Sequence, residues 1–195
     1  MRGLAKMLAH GRAIRAVGFD DAPFDKNTDG TVQIAGVVCA GTRFEGLLWG
    51  DATRDGEDAT EVLAGLLSGS KFHPQVHVVL LDGLAIGGLN LVDLPSLSRL
   101  LDRPCVAVMR KPPDLAAVER VVARFPDAER RRGLLRAAGP IHQLQGHVFQ
   151  VAGEEPELVA RVLTALTDRG QVPEPLRLAH LIGSAVKLGV SGRRA

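Results

Sequence analysis

Two aspartates stand where apolar segments of this sequence end. Asp20 follows the segment 13–19, and Asp82 follows the segment 76–81. Both segments have the composition of buried β-strands, and the carboxyl ends of such strands are where functional groups collect in open α/β sheets. If the two strands are neighbours, the carboxylates repel each other, and a divalent cation relieves the repulsion. The residues alone thus leave two explanations, loop capping by each aspartate, which is the commoner role of Asp after a strand, and a site for Mg²⁺ or Mn²⁺.

A third carboxylate for such a site is available in the acidic segment 51–61. This segment contains Asp51, Asp55, Glu57, Asp58 and Glu61. Asp58 and Glu61 also have the spacing of a capping box at the start of a helix. The same two side chains thus have a structural explanation beside the metal-binding one.

Basic residues are concentrated in two parts of the chain, although the formal net charge is only +2. Eight basic residues lie between positions 110 and 136, against four acidic ones. In the final predicted helix, Arg177, His180, Ser184 and Lys187 fall on one face. Each of these surfaces is expected to contact either phosphate or solvent.

The pattern of elements predicts a mixed α/β sheet. Apolar segments 13–19, 31–40 and 43–49 predict an antiparallel meander, with a helix over 59–70 after it. Strand 76–81, helix 91–101 and strand 105–109 predict a right-handed parallel crossover. Further helices are expected from residue 114, within 126–139, over 156–166 and over 175–188, with a last strand at 147–151. This order is compatible with a ribonuclease H-like fold in a single domain spanning 1–195.

Composition excludes several classes of protein. No apolar run is long enough to cross a bilayer, so no membrane partner is expected. Arg12 and Arg15 interrupt the apolar residues near the start, so we expect no cleaved signal. Cys39 and Cys105 lie within apolar runs and are predicted to be buried small hydrophobes. These features predict a cytoplasmic protein and leave its oligomeric state open.

Three separate segments resemble one known family. They are residues 16–21 (AVGFDD), residues 81–83 with 88–93 (LDG and GLNLVD), and residues 173–180 (PEPLRLAH). Together they are similar to the endonuclease dU-like family, prokaryotic relatives of endonuclease V. The resemblance extends over nearly the whole chain.

The resemblance implies a ribonuclease H-like fold and magnesium-dependent hydrolysis of nucleic-acid phosphodiesters. It implies action at or near deaminated bases, uracil or hypoxanthine, as in DNA repair, and favours DNA over RNA as the partner. Asp20 and Asp82 match the two strand-end metal ligands of endonuclease V, and its third ligand points to Asp58 or Glu61. Its basic residue matches Arg110 or Lys111, and its last-helix histidine matches His180. The tyrosine-containing wedge of endonuclease V has no counterpart, because this chain has no tyrosine.

The mechanistic expectation joins these residues. Asp20, Asp82 and either Asp58 or Glu61 would hold one or two Mg²⁺ or Mn²⁺ ions for in-line hydrolysis. Lys111 or Arg110 would offset charge at the phosphate, His180 would orient a water or a phosphate oxygen, and Arg177 would contact nucleic acid. Two alternatives are a non-catalytic nucleic-acid-binding module and a nucleotide-dependent phosphotransfer enzyme. The sequence leaves open the base, the strandedness of the substrate and the number of metal ions.

Overall fold

Nine strands, seven α-helices and one short 3-10 helix (His73–Gln75) lie within the part of the chain that the computed structural model describes, residues 3–25 and 30–192. The strands are β1 (Arg15–Asp21), β2 (Thr31–Ala40), β3 (Arg43–Thr53), β4 (Val78–Asp82), β5 (Ala85–Ile86), β6 (Asn90–Leu91), β7 (Cys105–Met109), β8 (His142–Leu144) and β9 (His147–Ala152). The helices are α1 (Gly3–Ala9), α2 (Ala59–Ser68), α3 (Leu94–Leu101), α4 (Leu115–Val122), α5 (Ala128–Ala137), α6 (Pro156–Ala165) and α7 (Glu174–Leu188). Residues 1–2, 26–29 and 193–195 of the predicted 1–195 domain lie outside the described residues.

Seven of the strands form one mixed sheet in the order β3-β2-β1-β4-β7-β9-β8. β1, β4 and β7 are parallel neighbours at its centre, with β2 and β3 antiparallel on one side. β9 pairs antiparallel with β7, and β8 pairs antiparallel with β9. β5 and β6 form a separate small hairpin. The predicted mixed α/β class, flanked by helices, is confirmed.

Helices cover both faces of the sheet, and side-chain alternation along β1 and β4 decides which residues meet which helices. Val17 and Phe19 pack in one core with residues of α2 and α3. Ala16 belongs to the opposite core, which includes residues of α1, α6 and α7. By the same alternation Asp20 faces α7, and so does Asp82, since Val78 and Leu80 lie in that second core.

Close contact between α7 and β1 depends on Gly18. A Cβ atom at this position would lie 2.6 Å from the backbone carbon of Pro175 and 2.7 Å from the amide nitrogen of Leu176. Only a residue without a side chain allows the first turn of α7 to approach the strand so closely. α7 therefore crosses the sheet directly beside the carboxyl end of β1.

Several local predictions need correction. Residues 3–9, for which no helix is predicted, form helix α1. The segment 91–101 begins with β6, and α3 starts at Leu94, because the Asp93 side chain accepts a hydrogen bond from the Ser96 amide at 2.9 Å. The last strand is antiparallel, because the unpredicted β8–β9 hairpin reverses the chain.

Other expectations are confirmed. Both cysteines, Cys39 and Cys105, are buried free thiols. Asp114 accepts a hydrogen bond from the Ala117 amide and caps α4, as its position before the predicted helix indicates. Within the described ranges, no helix combines the length and apolarity needed to cross a bilayer.

Candidate metal-binding site

Asp20, Asp82 and His180 come together at the carboxyl ends of the central strands. One potential ligand atom from each of the three lies within 4.8 Å of the others. The Nδ1 atom of His180 is 3.0 Å from Oδ2 of Asp20, a hydrogen-bonding distance. Among the described residues, this is the only group of three or more histidine, cysteine or carboxylate side chains close enough to hold a metal ion.

The helix α7 carries His180 into this group. The first turn of α7 packs against Gly18 of β1. Further along the same helix, Gly183 packs against the backbone of Ala22, just after β1. His180 lies between these two contact points and therefore faces the end of the strand. The four residues of the predicted α7 face differ in exposure: Ser184 is buried, His180 and Arg177 are partly exposed, and Lys187 is exposed.

The electrostatics of the group favour the binding of a cation. Asp20 is only 6% exposed, and burial is the main cause that raises its pKa to about 8, followed by repulsion from Asp82 and Asp21. Arg110 lowers the pKa only in part. A divalent cation would relieve both the carboxylate repulsion and the cost of burial, and carboxylate oxygens and an imidazole nitrogen are both common metal ligands. The donor set therefore fits a metal ion.

A cleft of about 530 Å³ opens above the group. Asp21, Phe24, Arg110 and Lys111 line it together with Asp20, Asp82 and His180. Arg110 Nη2 is 3.6 Å from Oδ2 of Asp82, so the guanidinium lies within ion-pair range of the carboxylate. The two predicted basic residues thus stand beside the acidic pair, where a phosphate group would meet them.

The structure does not bring Asp58 or Glu61 into the group. The Asp58 carboxylate accepts hydrogen bonds from the Thr53 hydroxyl at 2.7 Å and the Asn90 amide at 2.6 Å. Burial acts to raise the pKa of Asp58, but these hydrogen bonds outweigh it and lower the pKa below its ordinary value. The predicted capping box is wrong, because Asp58 makes no side-chain cap to α2, and Glu61 is exposed on that helix.

Much of the predicted basic surface is occupied by ion pairs. Arg177 binds Glu174 through two hydrogen bonds of 2.7 and 2.6 Å. In the arginine-rich segment, Arg132 pairs with Glu119 and Glu129, and Arg136 also pairs with Glu129. These arginines therefore resemble a charged helix face more than an open phosphate surface.

Two residues that the sequence reasoning did not single out hold this region together. Asp21 accepts a hydrogen bond from the Gly87 amide at 2.6 Å, which ties the loop after β4 to the end of β1. Arg131 is 3% exposed and donates to the backbone carbonyls of Asp55 and Leu89. The double aspartate at 20–21 was a visible signal for the first, whereas nothing local distinguishes Arg131 from its arginine neighbours.

Comparisons with known proteins give a consistent picture. The family model for endonuclease dU matches residues 12–187 of this chain. A UPF0215 protein from Methanothermobacter thermautotrophicus is 39% identical over 183 residues, covering 91% of this chain and 90% of the relative. A UPF0215 protein from Thermococcus gammatolerans is 42% identical over 185 residues, covering 91% and 94%.

Solved structures share the fold. A crystal structure of a protein of unknown function from Archaeoglobus fulgidus has a TM-score of 0.83 and 34% identity, covering 89% of this chain and 98% of that chain. Ciona intestinalis endonuclease V, in complex with a 24mer DNA containing an inosine followed by a ribo-adenosine, has a TM-score of 0.56 and 16% identity, covering 92% and 87%. At that identity the likeness to endonuclease V shows the fold alone.

Proposed function

The chain belongs to the endonuclease dU family, and on this premise we propose that it is a metal-dependent endonuclease that hydrolyses nucleic-acid phosphodiester bonds. The observation that carries the proposal is the convergence of Asp20, Asp82 and His180 in a cleft that Arg110 and Lys111 also line. Acidic ligands for a cation and basic side chains for a phosphate are the two requirements of such chemistry.

Each side chain has a distinct task in this proposal. Asp20 and Asp82 hold Mg²⁺ or Mn²⁺, which when bound lowers the pKa of a water and stabilises charge on the phosphate oxygens. His180, oriented by its hydrogen bond to Asp20, positions the attacking water or a phosphate oxygen. Arg110 and Lys111 bind the scissile phosphate at the mouth of the cleft, and Arg177 is a more distant candidate for contact with the nucleic acid.

For a third carboxylate we favour Asp21 over Asp58 and Glu61. Asp21 lines the same cleft and is close enough to Asp20 to raise its pKa. The carboxylate of Asp58 is engaged by Thr53 and Asn90, away from the converging group. Cleavage assays of Asp21→Asn, Asp58→Asn and Glu61→Gln separate the three assignments.

As the substrate we propose DNA containing a deaminated base, uracil or hypoxanthine, with a role in DNA repair in the cytoplasm. The description of the family, endonuclease dU, supports deoxyuridine, and the DNA bound to the Ciona enzyme contains inosine. RNA of the same sequence is the comparison substrate, because the site residues by themselves favour neither sugar.

The test is cleavage of end-labelled oligonucleotides that contain one deoxyuridine or one deoxyinosine, with Mg²⁺, Mn²⁺ or EDTA. Wild type is expected to cleave only with a metal ion, and Asp82→Asn to lose at least about 100-fold in rate, since even outer residues of metal sites contribute 10- to 100-fold. Asp102→Asn is the matched control, because Asp102 is exposed at the end of α3 in a left-handed conformation that Asn tolerates.

Equal cleavage by separately purified wild type and Asp82→Asn would refute the assignment of Asp82 as a metal ligand. The proposed activity would be refuted if the protein shows no metal-dependent cleavage of any substrate tested: DNA or RNA that contains uracil, that contains hypoxanthine, or that has no damaged base.

A further inference from the structure

A second pocket adjoins the metal cleft and has a different chemical character. It has a volume of about 480 Å³, which lies within the range of small-ligand sites of about 300–1,000 Å³. Phe24, Leu89, Val121 and Phe125 supply apolar walls, and the exposed Arg124 supplies positive charge, whereas Arg54 lies 3.4 Å from the Asp55 carboxylate that also lines the pocket. Phe24 also lines the metal cleft, so the two concavities share a wall.

A backbone turn at residues 87–89 is held by one carboxylate from the lining of each concavity. The Gly87 amide donates to Asp21 Oδ2 at 2.6 Å, and Asp21 lines the metal cleft. Two residues later, the Leu89 amide donates to Asp55 Oδ1 at 2.7 Å, and Asp55 lines the second pocket. The position of the pocket relative to the acidic group is therefore set before any ligand arrives.

Phe125 is fixed in the same way. The guanidinium of the buried Arg131 lies 4.2 Å from the centre of the Phe125 ring. Arg131 also donates to Asp127 at 2.8 Å and to the carbonyl oxygens of Asp55 and Leu89. One buried cation thus links the aromatic ring to the turn at residues 87–89, and the pocket needs little reorganisation to bind a flat ligand.

The placement of aromatic residues points to the ligand. The chain has six phenylalanines and no tyrosine. Phe19 and Phe149 are fully buried in the cores. Phe24 and Phe125 are partly exposed and line the pocket beside the metal cleft. Aromatic rings combined with arginines are the groups that bind unpaired bases and their phosphates.

We propose that this second pocket binds an unstacked base of the substrate strand, one that lies next to the phosphodiester in the metal cleft. The base packs against Phe24 and Phe125, and the exposed Arg124 contacts the adjoining phosphate. The proposal rests on the proposed function in one respect, that the strand passes through the metal cleft. It gives this tyrosine-free chain an aromatic site for holding a base out of the stack.

The first experiment measures binding of a single-stranded oligonucleotide in EDTA, where no metal-dependent cleavage occurs. Phe24→Ala and Phe125→Ala are each expected to raise Kd by about 5- to 150-fold, the usual cost of losing one base-stacking partner. Phe125→Leu keeps an apolar side chain under Arg131 and guards against a folding defect, with the same direction of change expected. Phe44→Ala, exposed on the edge strand β3, is the matched control and should bind like wild type.

The second experiment locates the base directly. Oligonucleotides containing 5-iodouracil are irradiated with the protein, and the cross-linked residue is identified by mass spectrometry. Cross-links at Phe24 or Phe125 support the proposal, and cross-links confined to other residues overturn it. Equal affinity of wild type, Phe24→Ala and Phe125→Leu, or no binding of single strands by wild type, also overturns it.

Failure of this proposal is distinguishable from failure of the proposed function. Metal-dependent cleavage that does not depend on Phe24 or Phe125 overturns the base pocket and leaves the nuclease assignment standing. Binding that depends on both phenylalanines, without any metal-dependent cleavage, supports the pocket and overturns the nuclease assignment.

Discussion

Replacing Asp20 by asparagine is expected to stabilise the metal-free protein at neutral and alkaline pH. Burial, with repulsion from Asp82 and Asp21, raises the pKa of this carboxyl from 3.8 to about 8. Between these two values the folded protein keeps a proton that the unfolded chain has lost. The contribution of Asp20 to the free energy of unfolding is therefore fully present below pH 3.8 and is lost as the pH rises to about 8.

The size of the effect follows from the two pKa values. Each pH unit corresponds to about 1.4 kcal/mol, so the interval from 3.8 to about 8 corresponds to at most about 6 kcal/mol. Asparagine does not titrate and can still hydrogen-bond to His180. The difference in unfolding free energy, wild type minus Asp20→Asn, should fall by about 1.4 kcal/mol per pH unit over this range.

Urea unfolding at a series of pH values between about 4.5 and 8.5, with EDTA present, measures this difference. Taking the difference between the two proteins removes the contributions of carboxyls such as Asp58 and Asp127, whose pKa values are lowered and whose stabilisation is lost in acid. Asp102→Asn, an exposed aspartate with the same change, provides the baseline.

A difference that stays constant across this pH range would refute the reasoning. It would mean that Asp20 is ionised in the metal-free fold and that neither burial nor the neighbouring carboxylates destabilise its negative charge. The electrostatic argument for a cation would then fail, whatever the outcome of the cleavage assay.

Three further predictions concern the metal ion and the packing around the site. Mn²⁺ at about 100 times its Kd should stabilise wild type by about 2.7 kcal/mol and raise its melting temperature, but should not change the melting temperature of Asp82→Asn. Equal increases in the two proteins would mean that the ion binds elsewhere. Arg131→Met should lower the unfolding free energy in urea by about 3–5 kcal/mol, because it leaves the partners of a buried cation unpaired. Arg132→Met breaks a more exposed ion pair with Glu119 and should change the unfolding free energy much less, so equal losses in the two variants would contradict the burial of Arg131. Gly18→Ala should lower the free energy of unfolding by about 1–3 kcal/mol, because the added Cβ would clash with the backbone of α7. Gly65→Ala, on the open surface of α2, should leave the free energy of unfolding unchanged or raise it. An unchanged stability of Gly18→Ala would contradict the close approach of α7.

Much of the sheet was predictable because its strands are apolar and flanked by turn residues. The segments before Asp20 and Asp82 have this pattern, and the structure places both aspartates at the ends of β1 and β4. The β8–β9 hairpin was missed because β8 has only three residues, too few for a period to be visible. The only signal in the sequence was Gly146, which together with Gln145 adopts a positive φ in the turn between β8 and β9.

Asp58 shows why spacing alone misassigns a side chain. Its distance from Glu61 matches a capping box, but its carboxylate binds Thr53 and Asn90, and Asn90 lies 32 residues further along the chain. Arg131 shows the converse, since a residue within an arginine-rich helix is expected in solvent and is instead buried against Phe125. In both cases the deciding partner lies in a distant segment.

The sequence by itself determined the local features of this protein: the apolar strands, the aspartates that end them and the face of α7 that carries His180. These follow from short-range periodicity, which is independent of how segments pack. The tertiary structure decided which of the acidic residues converge. His180 reaches Asp20 across 160 residues because Gly18 lets α7 lie against β1, whereas Asp58 and Glu61 stay outside the group. Distances between segments depend on the packing of the whole core, and no local pattern encodes them.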